Sequence, residues 1–155
     1  ATTEVVTVAW VRNERSAVAG AKTTSYAENV VALAEAHRRG ASEAILANTV
    51  GALCEGTGSN VFVVVDGRLC TPSLATGCLA GITRELVCEL DTVDERDDLT
   101  IDDLRNASEA FLTSSTRDVH PIAMVDGRVL ASAPGARTAT AAERLTALQA
   151  RTLDP

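Results

Sequence analysis

Lys22, Glu55, the pair Ile82-Thr83 and the hydroxyl run Thr113-Ser114-Ser115-Thr116 are the residues whose types and spacing suit chemistry. Lys22 is the only lysine and follows a small, glycine-containing run from Ala17, which would let backbone pass close to a buried ligand. A lysine taken out of water loses its proton more readily and becomes a Schiff-base nucleophile. Glu55, between Cys54 and the bend Gly56-Thr57-Gly58, suits a carboxylate that keeps a ring nitrogen protonated, so that the ring withdraws electrons. Ile82-Thr83 opens a helix pattern behind Gly81, where free N–H groups and the helix dipole favour a phosphate. The stretch from Glu55 to Arg84 thus suits a ligand with a basic ring nitrogen at one end and a phosphate at the other.

Each residue alone has a plainer reading. Lysines mostly lie on surfaces, a glutamate beside glycines is an ordinary turn carboxylate, and Ile82-Thr83 can simply begin a helix. Ser114, Ser115 and Thr116 can satisfy turn backbone, or complete phosphate and carboxylate binding across the site. His37, near a helix end, reads as structural, and His120, before Pro121, as a strand-end residue. No local Ser/His/Asp or Cys/His arrangement stands out, and no ligand cluster supports a metal.

The elements that must position these residues follow from periodicity. Val5, Val6, Val8 and Trp10 form a strand, followed by a charged loop from Arg12 to Arg15. Ser25 is expected to cap a helix reaching about Arg39, with Gly40 as its stop and Tyr26, Val30, Leu33, Ala34 and His37 on the buried face. Glu43 to Thr49, Leu53 to Glu55, Asn60 to Val65 and Arg68 to Thr71 read as strands, the last two joined by an Asp66-Gly67 hairpin. Thr83 to Leu90 reads as a helix and the acidic Asp91 to Asp98 as a solvated connector. Thr100 and Asp103 have capping-box spacing for a short helix. Glu109 to Thr113 and Val119 to Val125 are strands, Asp126-Gly127 is a second hairpin, and a closing amphipathic helix from Thr138 buries Ala141, Leu145 and Leu148. This is a strand-rich mixed α/β pattern with outer helices, not regular β-α-β alternation.

The 155 residues suit one domain with a real core, built mostly from aliphatic side chains because Trp10, Tyr26, Phe62 and Phe111 are the only aromatics. A net charge of -7, with no basic run longer than Arg38-Arg39, argues against nucleic-acid binding. No apolar stretch has the length of a membrane span. Cys54, Cys70, Cys78 and Cys88 show neither zinc spacing nor a need for disulfides, so reduced thiols, no read signal peptide and a cytoplasmic setting are expected.

Taken in order, several runs resemble the class IV pyridoxal-phosphate enzymes: Lys22-Thr-Thr-Ser-Tyr26-Ala-Glu-Asn29, Cys54-Glu55-Gly-Thr-Gly-Ser-Asn-Val-Phe62, Thr71-Pro72, Leu79-Ala-Gly-Ile-Thr-Arg84 and Glu109-Ala-Phe-Leu-Thr-Ser-Ser-Thr-Arg-Asp118. The family includes branched-chain and D-amino-acid aminotransferases and 4-amino-4-deoxychorismate lyase. The wording around Lys22 and in the Thr-Ser-Ser-Thr-Arg-Asp run looks most like the bacterial lyases. The resemblance covers nearly all of the chain. It implies the large C-terminal domain of the D-amino-acid aminotransferase-like fold over residues 1–155, with a β-barrel-like sheet core among helices.

The resemblance also implies roles. Lys22 would bond to pyridoxal 5'-phosphate and later transfer protons, Glu55 would pair with the pyridine nitrogen, and Leu79 would pack on the ring. Ile82, Thr83 and Ser115 would bind the phosphate, Tyr26 would approach the phenolic oxygen, and Thr116 would lie near the substrate carboxylate. The family's smaller N-terminal domain, about one hundred residues, has no counterpart here, and the family site is completed in a homodimer. The reaction implied first is conversion of aminodeoxychorismate to 4-aminobenzoate and pyruvate. The alternatives are transamination of branched-chain or D-amino acids, or a non-catalytic binding domain that retains the fold.

Overall fold

The computed structural model describes residues 1–151. Strand β1 (Thr3–Arg12) leads through helix α1 (Ala27–Arg38) to β2 (Glu43–Asn48), and the two strands are parallel, as a crossover connection requires. Next come β3 (Leu53–Gly56), β4 (Asn60–Val65), β5 (Arg68–Pro72), helix α2 (Ile82–Leu90) and β6 (Asp94–Arg96). Helix α3 (Ile101–Asn106), β7 (Ala110–Ser114), β8 (Asp118–Val125), β9 (Arg128–Val129) and helix α4 (Ala136–Gln149) complete the described chain.

The strands form one mixed sheet in the order β3-β2-β1-β8-β7-β4-β5-β6, with β9 pairing β8. The sheet curls, so that β3 at one end comes against β4 and β5 near the other. β4 is apolar from Val61 to Val65 because both of its faces are covered. Val61 and Val63 join Ile45, Leu53, Leu112 and Ile122 in one core, while Phe62 and Val64 pack with Phe111, Val87 and Ala141 in another. The Phe62 and Phe111 rings stack with centroids 4.8 Å apart.

Both Asp-Gly hairpins are as expected, with Asp66, Gly67, Asp126 and Gly127 all at positive φ, the signature of type I′ turns. Thr100 and Asp103 exchange both capping-box bonds. Several expectations fail. Ser25 does not cap α1; its N–H turns back to the Thr23 hydroxyl, and the helix starts after Tyr26 with no side-chain cap. The face α1 buries is Ala32 and Ala36 against Val6, Ala41 and Ala44, while Tyr26, Val30, Ala34 and His37 are exposed and Leu33 is half-buried. Small side chains let the helix approach the sheet closely, and that contact outweighs the hydrophobicity of the longer row. The acidic connector, finally, contains β6 parallel to β5, because Arg68 pairs with Asp94 and Arg84 with Glu95.

The two hairpins differ in one respect. Asp126 accepts from the Thr7 N–H (2.8 Å), the Thr7 hydroxyl (2.7 Å), Arg105 and Arg39, tying β1 to both helix ends nearby. Burial pushes the Asp126 carboxyl up, but the Thr7 and Arg105 bonds outweigh it and hold the carboxyl below its usual range. A lowered folded value means the stabilisation is present above the unfolded value of about 3.9 and is lost as pH falls through the folded one. Asp126→Asn should cost about 1–2 kcal/mol at pH 7 by urea unfolding, discounted because the arginines are partly solvated. The difference from wild type should shrink towards pH 3, and one that stays constant there would contradict this role.

Candidate active site

A cleft of about 640 Å³ opens where β3, the start of β4, the start of α2 and the β7–β8 turn converge. Lys22, Tyr26, Glu55 and Leu79 line it. So do Ile82, Thr83, Ser115 and Thr116, so the fold brings these eight residues to one cavity.

Glu55 lies on β3, and the curl turns its side chain inward, leaving that side chain 12% exposed. One carboxylate oxygen accepts from Arg12 Nε at 2.9 Å and the other from the Leu79 N–H at 2.9 Å. Burial pushes the Glu55 carboxyl up, and the Leu79 N–H and the Arg12 guanidinium oppose that push without cancelling it. A carboxylate has about four acceptor positions. The two bonds leave capacity for one further donor, such as a protonated ring nitrogen.

The charged run from Arg12 to Arg15 reads as a loop from sequence. Arg12 is instead the last residue of β1, with its side chain 17% exposed, and it also donates through Nη2 to Asn29 Oδ1 on α1. The charged run Arg12-Asn-Glu-Arg15 gave no sign of this. A strand pattern extended by two residues beyond Trp10 would have placed Arg12 on the sheet.

Leu79 is clamped on both sides, because its carbonyl accepts from Asn60 Nδ2 at 2.8 Å while its N–H binds Glu55. Asn60 thereby joins β4 to the start of α2. Gly81 precedes that helix without any side-chain cap, leaving the Ile82 and Thr83 N–H groups without protein acceptors among the described residues. Helix α4 shows the contrast. The Glu109 carboxylate accepts from the Arg137 N–H (3.1 Å) and the Thr138 N–H (2.9 Å), closing that helix start with an anion from the protein itself. The α2 start lacks such an anion and faces the cleft.

Lys22 and Tyr26 sit on the open side, both exposed. Lys22 has no ion-pair partner among the described residues. Lys22 is open to solvent among the described residues. Ser115 and Thr116 are exposed on the β7–β8 turn, where the Ser114 and Thr116 hydroxyls lie 3.3 Å apart. His37 is exposed, and His120 is not at a strand end but inside β8, opposite Leu112. The four cysteines are free thiols.

A curled mixed sheet with outer helices, carrying this cleft at one end of its strands, is an enzyme-domain architecture shared with known structures. Residues 1–125 match the profile described as Amino-transferase class IV, and the chain belongs to that family. It is 39% identical over 110 residues to a branched-chain-amino-acid aminotransferase of Pseudomonas aeruginosa, an alignment spanning 67% of this chain and 35% of that protein. The branched-chain amino acid aminotransferase of Thermobaculum terrenum, solved in its PLP form, superposes with a TM-score of 0.88 at 30% identity, over 98% of this chain and 52% of that one. A Legionella pneumophila structure with the provisional name 4-amino-4-deoxychorismate lyase shares the fold, with a TM-score of 0.85 at 23% identity over 98% of this chain and 57% of that one. The chain thus spans a third to somewhat over half the length of these proteins.

The glycines give a test of the site's tightness. A Cβ on Gly81 would lie 2.3 Å from Asn60 Oδ1, whereas one on Gly58 would meet nothing within 4 Å. Gly81→Ala should disturb the Asn60–Leu79 clamp and cost about 1–3 kcal/mol, and Gly58→Ala should be within about 0.5 kcal/mol of wild type. Equal thermal unfolding of the two variants would contradict the described packing.

Proposed function

We propose that the cleft holds pyridoxal 5'-phosphate and that the parent protein is an aminotransferase acting on branched-chain amino acids. One observation carries this reading: the chain's only lysine, a buried carboxylate with spare acceptor capacity and an uncapped helix start line the same cavity. That donor and acceptor set fits the cofactor's aldehyde, ring nitrogen and phosphate. Bound there, the cofactor supplies an aldehyde that captures amines and a ring that withdraws electrons from the captured substrate.

The protein's own groups divide the work. Glu55 would accept the ring N–H, and Arg12 and the Leu79 N–H keep its carboxylate from turning away. Ile82 and Thr83 offer N–H groups, and Thr83 and Ser115 hydroxyls, to the phosphate, with the α2 dipole adding to the attraction. The Leu79 side chain would pack on the ring, Tyr26 would approach the phenolic oxygen, and Thr116 would meet the substrate carboxylate. Lys22 is the amine that would hold the cofactor's aldehyde, and as a free amine it would carry a proton from and to the substrate's reacting carbon.

Lys22 stands exposed here, so the reading includes a water-excluding cover. It comes from a small N-terminal domain of the parent protein, about one hundred residues, and from a homodimer partner, in a cytoplasmic setting. The partial coverage of the relatives supports this completion. Amino transfer is preferred because the relatives at 30% identity or more reported above are named aminotransferases. The second reading, an aminodeoxychorismate lyase releasing pyruvate and 4-aminobenzoate, is favoured by the run Thr113-Ser-Ser-Thr-Arg-Asp118 and by the wording after Lys22.

Borohydride reduction of the parent protein with pyridoxal phosphate should place the label on Lys22 in a peptide map. Lys22→Ala should lose the label and the visible absorbance and lower turnover by about 10²–10⁴ or more. Label on no residue, or elsewhere, would leave a non-catalytic binding domain as the better reading. Leucine-dependent amino transfer to 2-oxoglutarate, set against pyruvate release from aminodeoxychorismate, separates the two reactions.

A further inference from the structure

The segment between β1 and α1 carries Lys22, and its backbone bonds are local. The N–H groups of Ser16, Ala19 and Ala21 donate to the carbonyls of Asn13, Ser16 and Val18, closing a chain of successive turns. Residues 18–22 line one side of the cleft, as do Asn13 and Ser16, whereas Glu14 does not. Among the described residues, one group alone ties residues 14–22 to another element by hydrogen bonds. It is the Glu14 carboxylate, which accepts from the Thr49 N–H (3.0 Å) and the Thr49 hydroxyl (2.5 Å) just past the end of β2.

Several features fit Glu14 for this task. Its side chain is 13% exposed, and Arg15 Nε lies 3.7 Å away. The Thr49 hydroxyl first, and the Thr49 N–H second, hold its carboxyl below the usual range, so the charged form is the acceptor. Gly77 lies beneath it. At φ +92°, and with a Cβ position only 2.9 Å from Glu14 Cα, that site admits the loop only as glycine. A Cβ on Gly20 of the loop would stand 3.6 Å from the Cys78 carbonyl oxygen, so the loop rests on Gly77-Cys78, directly before the Leu79 N–H that holds Glu55. Buried Asn48 joins the two landing points. Its Oδ1 accepts from the Val50 and Ala52 N–H groups, shaping the turn that presents Thr49, and its Nδ2 donates to the Thr76 carbonyl beside Gly77.

We propose that Glu14 is a positioning residue for Lys22: its bonds to Thr49 and its seat over Gly77 latch the loop so that the lysine amine stands at the cleft lined by Glu55 and Leu79. Without the latch the loop keeps its turns but not its place, because those turns bond only within the loop. Bringing Lys22 to a ligand would then require ordering the loop first, at a cost in conformational entropy. The role of the latch in holding a ligand rests on the reading of the cleft as the cofactor site; the latch itself does not.

Two measurements keep the inferences apart. Lys22 is the only lysine, so a protease that cuts after lysine reads the loop directly in this chain. Glu14→Ala should speed cleavage of the native chain at Lys22–Thr23 about tenfold, the scale of lost bonds to a charged group. Thr49→Val should speed it less, the double variant no more than Glu14→Ala, and Thr49→Ser, which keeps the hydroxyl, should match wild type. Equal rates in Glu14→Ala and wild type, or additive effects in the double variant, would overturn the latch. In the parent protein, Glu14→Ala should raise the Kd for pyridoxal phosphate about tenfold. In a Lys22→Ala background the same change should leave Kd within about twofold, because the residue through which Glu14 acts is gone. A rise in both backgrounds, or in neither, would overturn the action through Lys22. A parent protein without cofactor absorbance would overturn the cofactor reading and leave the cleavage rates to decide the latch.

Discussion

The buried Glu55 carboxylate and the two groups that hold it are the constraint on which the rest of the cleft depends. A carboxylate taken out of water without partners costs several kcal/mol or is neutralised by a proton. Arg12 and the Leu79 N–H oppose that cost from different directions, one from the end of β1 and one from the segment before α2. Arg12 also reaches Asn29, and the Leu79 carbonyl holds Asn60, so the bonds around one carboxylate fix β1, β3, β4, α1 and the α2 start relative to one another. The curl of the sheet makes this possible by carrying β3 round against β4 and β5.

The same chemistry used elsewhere closes other sites. Glu109 seals the α4 start, Glu43 fills the Gly56–Ser59 bend and Asp126 gathers Thr7, Arg105 and Arg39. In each, the protein's own anion meets its own donors. The cleft is where matching breaks down, because the α2 N–H groups, Lys22 and the Ser115 hydroxyl lack protein partners among the described residues while Glu55 keeps acceptor capacity. Surplus donors around a ring-sized space, with one carboxylate opposite, suit an anionic ligand that carries a basic nitrogen.

What the sequence made legible was chemistry tied to local backbone. Asp-Gly pairs need positive φ, the Thr100–Asp103 spacing reaches across one helical turn, and Gly81 before a helix pattern leaves the first N–H groups without internal partners. What it hid was long-range. Arg12 looks like a loop charge until the sheet brings Glu55 to it across forty-three positions. The buried α1 face is not legible from sequence because Ala32 and Ala36 contribute little hydrophobicity, and the closeness of packing they allow has no signature in a periodicity. β6 was hidden because its acidic residues are matched by Arg68 and Arg84 from other elements. The cleft residues were gathered by the resemblance of whole runs, since singly each had a plainer use.

The most direct measurement is the titration of the Glu55 carboxyl by isotope-edited NMR, in the wild-type chain and in Arg12→Gln. The wild-type group should titrate above the ordinary glutamate value of about 4.3, because burial prevails, and removal of the guanidinium should move it higher still. An Arg12→Gln variant whose Glu55 titrates at the wild-type pH would contradict the linkage of Arg12 to Glu55, and with it the account of how this cleft is held.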